Sequence, residues 1–229
     1  MDLVLLTFNI NIFTQHAILT AESKSIMKLM PFIEKDFFPS HGDAINNDTG
    51  VRSKILRVDK DAEGCRLSVI FAPWAISINI ESEMLLELPA LIQKFEYLFD
   101  LINKSFIDED VKGNRVAAIL TAGIKQSEDL NGRIYHKFFK GEVIPFEWSL
   151  RQAKATDFEG ENIFNIVSVN KGHATISFSE KIFDGDTIVV NIDNNTHPAN
   201  VTQRFTFDEY EFTKQLIAKT LHDFYTLQG

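Results

Sequence analysis

Two short polar segments near the end of the chain carry side chains that could bind a metal ion. They flank the predicted strand 187–193, and the candidate ligands are Asp184, Asp186, Asp193 and His197. Carboxylates and an imidazole together can hold a divalent cation that activates water for hydrolysis. Two polar turns explain the same residues, because Asp and Asn favour turns through hydrogen bonds from their own side chains. We favour the turns and keep a metal-dependent hydrolase as the alternative function.

The other candidate site is a basic, aromatic-rich segment in an otherwise acidic chain. Its basic side chains lie at helical spacing and are Arg133, His136, Lys137 and Lys140. Such a surface could contact an anion, a phosphate or nucleic acid. A surface helix with a solvated polar face explains the same pattern. Because the net charge is −9, binding of nucleic acid is disfavoured, and we expect the solvated helix.

Two short motifs match catalytic ones in residue type but not in context. Asp48-Thr49-Gly50 matches the aspartic-protease tripeptide, yet it follows a polar segment and not an apolar strand. Ser25 and Lys28 match Ser-x-x-Lys of penicillin-binding enzymes, but the partner motifs of that family are missing from the chain. The histidines His16, His173 and His222 stand alone in the sequence. The sequence therefore assigns no catalytic residue and no cofactor, and favours a protein that is not an enzyme.

Composition bounds the structural class. The 229 residues include 20 Phe and the single Cys65, so we expect a Phe-rich interior and a free, buried thiol. The first residues lack the positive charge of a secretory signal. No apolar run reaches the roughly 20 residues that span a bilayer. We therefore expect a soluble cytoplasmic protein that does not bind membranes.

Hydrophobic periodicity divides the chain into strands and helices. A period of two predicts strands, and apolar residues three and four apart predict helices. Pro31 should kink or restart the first helix, and residues 39–50 are rich in Asn, Asp and Gly and predict a loop. The predicted strands are 2–13, 51–58, 65–72, 75–80, 115–125, 146–156, 162–170, 174–179 and 187–193, with a hairpin turn at Lys171-Gly172. The predicted helices are 20–33, a short one at 132–140, and two long amphipathic helices at 89–106, which Ser82 should cap, and at 207–225.

The two halves of the chain resemble each other in pattern. Residues 64–71 resemble 172–178, residues 77–81 resemble 190–193, and a long helix follows each pair. These similarities indicate two β-α-β-β-β-α pseudo-repeats, 1–110 and 111–229, although strands and turns look alike in any α+β chain. No linker separates the halves, so we expect one compact unit, 1–229. Its fold class is α+β, with mainly antiparallel sheet and both long helices packed on one face.

The order of elements resembles an uncharacterised, sporadically distributed prokaryotic α+β family of similar length. The matching stretches are Leu3 to Pro39, Leu67 to Phe106 and Ile188 to Leu227, and Leu221-His222 is similar to a Leu-His near the end of that family. The segment beginning at Arg115 departs from the Arg-Tyr-Ile-Asn-like strand expected after the long helix. The family has no established activity, so the resemblance implies a fold and no mechanism.

The leading functional hypothesis is a non-enzymatic binding or assembly protein. It would hold a protein partner through a sheet face, or through the groove between the two halves. An antiparallel sheet leaves edge strands that self-association commonly covers, and two-fold dimers are the commonest oligomers. We therefore expect a homo-oligomer.

Overall fold

The chain folds as a mixed α+β protein in its computed structural model. The structure describes residues 2–45, 50–62, 64–107, 109–178 and 181–228. Within these ranges the strands are β1 (Leu3–Phe13), β2 (Phe38–Ile45), β3 (Arg52–Ala62), β4 (Cys65–Ala72), β5 (Ala75–Ser82), β6 (Arg115–Lys125), β7 (Trp148–Phe158), β8 (Glu161–Phe178) and β9 (Lys181–Thr196). A 3-10 helix at Ser23–Leu29 runs into the short α1 (Met30–Ile33), and the longer helices are α2 (Leu88–Ser105), α3 (Glu128–Phe138) and α4 (Glu211–Gln228).

The described strands form one antiparallel sheet of nine strands in the order β2-β3-β4-β5-β1-β6-β9-β8-β7. The prediction of an α+β fold with an antiparallel sheet is therefore confirmed. β1 pairs with β5 on one side and with β6 on the other. Because β1 belongs to the first half of the chain and β6 to the second, both halves build the centre of the same sheet.

Side-chain alternation along the strands gives the sheet two different faces. On one face an apolar row crosses the central strands, formed by Phe8, Ile80, Leu120 and Ile192. Each of these side chains is at most 1% exposed. We call this side the helix face, because the described α-helices contact it. The contacts are Phe32 of α1 with Phe71, Phe95 of α2 with Phe8, Asn131 of α3 with Trp148, and Thr220 of α4 with the carbonyl of Ala118.

Phenylalanine rings fill the layer between the sheet and the helices, as the composition predicts. Phe8 meets Phe95 edge to face at a centroid distance of 5.6 Å, and Phe99 contacts Phe207 at 5.9 Å. Edge-to-face ring pairs add favourable electrostatics to the burial of apolar area. The largest fully buried rings are those of Phe8, Phe32, Phe71, Phe95, Phe99, Phe207 and Phe224. Cys65 is a free, buried thiol, as expected.

A buried polar cluster fixes α4 on the sheet. Asn194 of β9 is 0% exposed, and its amide nitrogen donates to Thr220 Oγ1 and to Asp223 Oδ2, both at 3.0 Å. Asn165 of β8 donates to the same carboxylate at 2.9 Å, and Lys219 forms an ion pair with it at 2.9 Å. Because Asn194 and Thr220 are fully buried and hydrogen-bonded to each other, the cluster specifies where α4 sits on the sheet.

Several predicted boundaries were wrong. Residues 39–45, expected in a loop, belong to the edge strand β2, where Pro39 is compatible with an edge. The turn expected at Lys171-Gly172 is continuous strand within β8. Ser82 does not cap α2: it ends β5, and its hydroxyl accepts a hydrogen bond from the Met84 N–H. Pro31 does lie at the start of α1, as predicted for a restarted helix. No helix of the described residues is long and apolar enough to cross a bilayer.

Candidate functional site

The structure places Asp184 and Asp186 on either side of His173. His173 Nε2 lies 3.2 Å from Asp184 Oδ1, and its Nδ1 lies 3.4 Å from Asp186 Oδ1. The Thr175 hydroxyl also donates to Asp184 at 2.7 Å. These residues face each other across the β8–β9 pair, so the polar turn expected at 184–186 is regular strand. The hydrogen bond from Thr175 and then that from His173 hold the pKa of Asp184 below its ordinary value.

The other two predicted metal ligands lie elsewhere. Asp193 is seven residues beyond Asp186 on the same extended strand, roughly 24 Å away at the usual rise of an antiparallel strand. The imidazole of His197 packs against the ring of Phe164 and accepts a hydrogen bond from the Ala199 N–H. In the described part of the chain, no group of three or more His, Cys, Asp or Glu side chains could hold a metal ion. The four residues therefore do not form one site.

The basic segment is divided between α3 and the chain that follows it. Arg133 forms an ion pair with Asp129 one turn earlier at 3.2 Å, and Lys137 donates to the carbonyl of Thr226. His136 is exposed near the end of α3, and Lys140 lies beyond it. Acidic residues in the first turn and basic residues in the last complement the helix dipole. This arrangement explains the charges of α3 without a ligand.

A continuous polar surface lies on the side of the sheet opposite the helices, which we call the open face. Its central row is formed by Ser68, Asn79, Asn9, Ile119 and Asp193, which follow one another across β4, β5, β1, β6 and β9. Along each strand, the neighbours of these residues point to the helix face. No described helix covers this row, and Asn9, Asn79, Ile119 and Asp193 all remain partly exposed.

The centre of the open face carries a ladder of side-chain hydrogen bonds. The Ser77 hydroxyl donates to Asn11, the Asn11 amide donates to Asn9, and the Asn9 amide donates to Asn79. On the other side of the centre, Asn191 donates to the Thr121 hydroxyl at 2.8 Å. An amide has two N–H donors and an acceptor oxygen, so the ladder leaves donors and acceptors directed to solvent. Such a surface suits a ligand with alternating polar groups.

Asp193 is a partly buried carboxylate on the open face. Its carboxylate accepts a hydrogen bond from Asn195 at 2.9 Å, and Arg115 donates to Asn195 at 3.1 Å. The Arg115 guanidinium stacks on Phe13, with 4.5 Å to the ring centroid. Burial raises the pKa of Asp193 above its ordinary 3.8, while Asn195, Arg115 and Arg151 partly oppose the rise. The carboxyl therefore holds its proton more tightly in the folded protein than in the unfolded chain.

The raised pKa of Asp193 predicts a pH-dependent effect of Asp193→Asn. An acid whose pKa is raised by folding makes the protein lose stability as pH rises from the unfolded pKa, near 3.8, through the higher folded value. The variant lacks this loss, so its free energy of unfolding should improve relative to the wild type over that interval and then stay level. Urea unfolding at a series of pH values measures the difference. If the difference in unfolding free energy between the variant and the wild type does not change with pH, the pKa of Asp193 is not raised by folding.

Charges on the open face largely neutralise one another. Arg57 pairs with Asp59 at 2.6 Å, and Arg66 pairs with Asp61 at 2.8 Å. A surface built from amides and paired charges does not present the excess positive potential that a polyanion requires. The arrangement fits recognition of an uncharged polar partner better than recognition of nucleic acid.

One end of the open face is partly enclosed by the β8–β9 hairpin. Ile176 Cδ1 comes so close to Gly123 that a Cβ there would lie 2.7 Å away, so a larger residue at this position of β6 would displace the Ile176 side chain. Lys181 of the same hairpin forms an ion pair with Glu83 after β5. The hairpin and the start of β1 border an open cavity of about 440 Å³, lined by apolar side chains such as Met84 and Phe183 and by charged ones such as Glu83 and Lys181.

The alternation of polar and apolar residues in β1 puts Asn9 and Asn11 on the side away from Phe8 and Ile10, but the sequence alone does not assemble the open face. The signal was present in β5 and β9, where Asn79 and Asn191 alternate with isoleucine and valine. The tripeptide residues Asp48 and Thr49 lie outside the described residues. The chain matches no known family model, and neither a curated protein nor a solved structure is significantly similar to it.

Proposed function

We propose that this chain is a non-enzymatic cytoplasmic binding or assembly protein that acts as a homo-oligomer and holds a protein partner on its open face. The observation that supports this most is the asymmetry of the sheet. The described α-helices contact one face, while the other presents the ladder of Asn9, Asn11 and Asn79. An antiparallel sheet tolerates a solvated face, but solvation alone does not require amides in adjacent rows on adjacent strands.

A protein partner fits the chemistry of this face. Peptide groups and polar side chains offer donors and acceptors that match amide side chains. The paired charges of Arg57 and Asp59 give the face little attraction for membranes or nucleic acid. The free thiol of Cys65 is compatible with a reducing compartment. These features support the cytoplasmic binding protein, and the alternative of a metal-dependent hydrolase lacks a group of three or more metal-ligating side chains among the described residues.

We also propose that the two halves are pseudo-repeats, each ending in a long amphipathic helix packed on the helix face. The support is topological: β1 pairs with β5 and β6 pairs with β9, so the first strand of each half pairs with its last. The first half carries one strand more, because β2 has no counterpart. Under this proposal the halves meet at the β1–β6 pair, where the sheet is continuous, so the open face and not a groove between the halves would hold the partner. We also propose that the chain shares its order of elements with the uncharacterised prokaryotic α+β family that it resembles.

A differential pull-down tests the binding function. The double substitution Asn9→Ala/Asn79→Ala removes two amides from the open face, and Gln93→Ala removes an exposed amide from α2 on the opposite side. We expect a partner that the wild type and Gln93→Ala both retain from cell extract, and that the double variant loses at least tenfold. Circular dichroism verifies that each variant is folded. Equal retention by all three proteins contradicts binding through the open face.

A further inference from the structure

The two edges of the sheet differ in how well they are protected from pairing with another strand. β2, at one edge, has 8 residues and contains Pro39 and Gly42. β7, at the other edge, has 11 residues without proline or glycine, and it pairs with β8 along its whole length without a register shift. Residues 151–155 of β7 are exposed. A long, regular, exposed edge strand is a template for addition of a further strand, although charged side chains such as Arg151 and Lys154 restrict the registers it accepts.

The turn after β7 determines which of its backbone groups are free. Glu159 and Gly160 have φ values of 51° and 79°, the pattern of a two-residue type I′ turn. In such a hairpin the flanking pair, Phe158 and Glu161, is hydrogen-bonded. Hydrogen-bonded pairs then recur at every second residue, so the even-numbered residues of β7 bond to β8. The odd-numbered residues direct their N–H and C=O groups to the edge, and they are Ser149, Arg151, Ala153, Ala155 and Asp157. Of these carbonyls, that of Asp157 also accepts a hydrogen bond from the Thr156 hydroxyl at 3.1 Å.

We propose that two copies of this chain pair β7 with β7, antiparallel, about a two-fold axis at Ala153. This inference rests on the homo-oligomer of the proposed function and names the interface. Ala153 is the midpoint of Trp148–Phe158, so this register alone pairs the entire strand with itself. The odd-numbered residues then form the hydrogen-bonded pairs, as the direction of their free groups requires.

Side-chain chemistry also favours this register. Arg151 lies opposite Ala155, Ser149 opposite Asp157, and Gln152 opposite Lys154, so no like charges face each other. Moving the axis one residue to Lys154 places two lysines directly opposite, at a non-hydrogen-bonded position where Cα atoms are ~4.5 Å apart. The sheet becomes continuous through both copies, and the two-fold axis, perpendicular to it, keeps both open faces on the same side. The dimer therefore presents two partner sites side by side.

Light scattering coupled to size exclusion tests the interface. The wild type should have twice the monomer mass of 26.1 kDa. Ala153→Lys, which places like charges across the axis, should shift the protein to the monomer mass at the same concentration. The matched control is Ala44→Lys on β2, the opposite edge, which should stay dimeric. Thermal melts followed by circular dichroism verify that both variants are folded.

Disulfide trapping tests the register independently of any loss of folding. A hydrogen-bonded antiparallel pair has its Cα atoms ~5.5 Å apart, within reach of a disulfide. Ala153→Cys should therefore cross-link two copies on mild oxidation. Asp157→Cys, on the same face of β7, should not, because its two copies lie eight residues apart along the strand, roughly 27 Å. Cys65 is 4% exposed, so the wild type, which has this thiol alone, gives the background level of cross-linking.

The outcomes separate this inference from the proposed function. A wild type that remains monomeric at high concentration overturns both the interface and the homo-oligomer, whereas binding through the open face is still decided by the pull-down. A dimer that Ala153→Lys leaves intact, or that Asp157→Cys cross-links as readily as Ala153→Cys, overturns the β7 interface alone. Cross-linking confined to Ala153→Cys, together with a monomeric Ala153→Lys, supports it.

Discussion

Phe8→Ala should lower the free energy of unfolding by about 3–5 kcal/mol. Phe8 is 0% exposed at the centre of the helix face, on the strand where the two halves of the sheet meet. Its ring also forms the edge-to-face contact with Phe95 that links α2 to β1. Truncation therefore removes buried apolar area, one ring contact and the filling of a space that the rigid sheet cannot close. Urea denaturation followed by circular dichroism measures the change.

Phe38→Ala is the matched control for this prediction. Phe38 lies on the edge strand β2 and is 73% exposed, so the same deletion should change stability by less than about 1 kcal/mol. If both variants lose similar stability, the core does not lie between the helices and the helix face, and the assignment of the two faces fails with it.

Gly113→Ala should destabilise the protein by about 1–3 kcal/mol through overpacking. Gly113 forms an isolated bridge with Phe205, so it joins the segment before β6 to the segment before α4. An added Cβ would lie 2.4 Å from Ile12 Cγ2 and 2.9 Å from the carbonyl oxygen of Phe13. The second contact is with backbone, which cannot move without disturbing the central strand β1. Thermal unfolding measures the effect as a lowered melting temperature.

Gly132→Ala is the matched control, because the same substitution should not destabilise the protein at this position. Gly132 lies within α3, and the nearest atom to an added Cβ is Ile144 Cδ1 at 3.9 Å. Alanine is favoured over glycine within a helix by roughly 0.5–1 kcal/mol, so this variant should be equal to or more stable than the wild type. A stable Gly113→Ala protein would show that the segment before β6 is not held against β1.

The sequence predicted the elements whose periodicity is simple. β1, β4 and β6 lie close to their predicted bounds because each has buried apolar residues at every second position over most of its length. β2 was missed because Gly42, Asp43 and the following Asn residues are typical of loops, and at a sheet edge few side chains must be buried. β8 was divided in two because Lys171-Gly172 is typical of a hairpin turn, whereas in the fold Lys171 is 7% exposed and donates to the carbonyl of Phe146.

The open face was only partly predictable. The alternation of β1 was enough to place Asn9 and Asn11 on its polar side. The pairing of Asn9 with Asn79 depends on the strand order, in which β1 joins β5 and not β2, and local patterns do not carry that order. The same limitation applies to His173: nothing in its own sequence neighbourhood indicates that a long strand pair brings it between Asp184 and Asp186. Asp193 was a candidate metal ligand for its residue type, while its place in the polar row of the open face depends on the strand order of the sheet.

Thiol labelling of neighbouring residues on β6 tests most directly whether the open face is free to bind a partner. Thr121 lies on the open face and is partly exposed, whereas Ala122 lies on the helix face and is 0% exposed. With Cys65 buried as background, Thr121→Cys should react with a maleimide in the native protein, and Ala122→Cys should react only at the rate of unfolding. If Thr121→Cys is as protected as Ala122→Cys in the purified protein, this side of the sheet is covered, and the proposed binding surface does not exist.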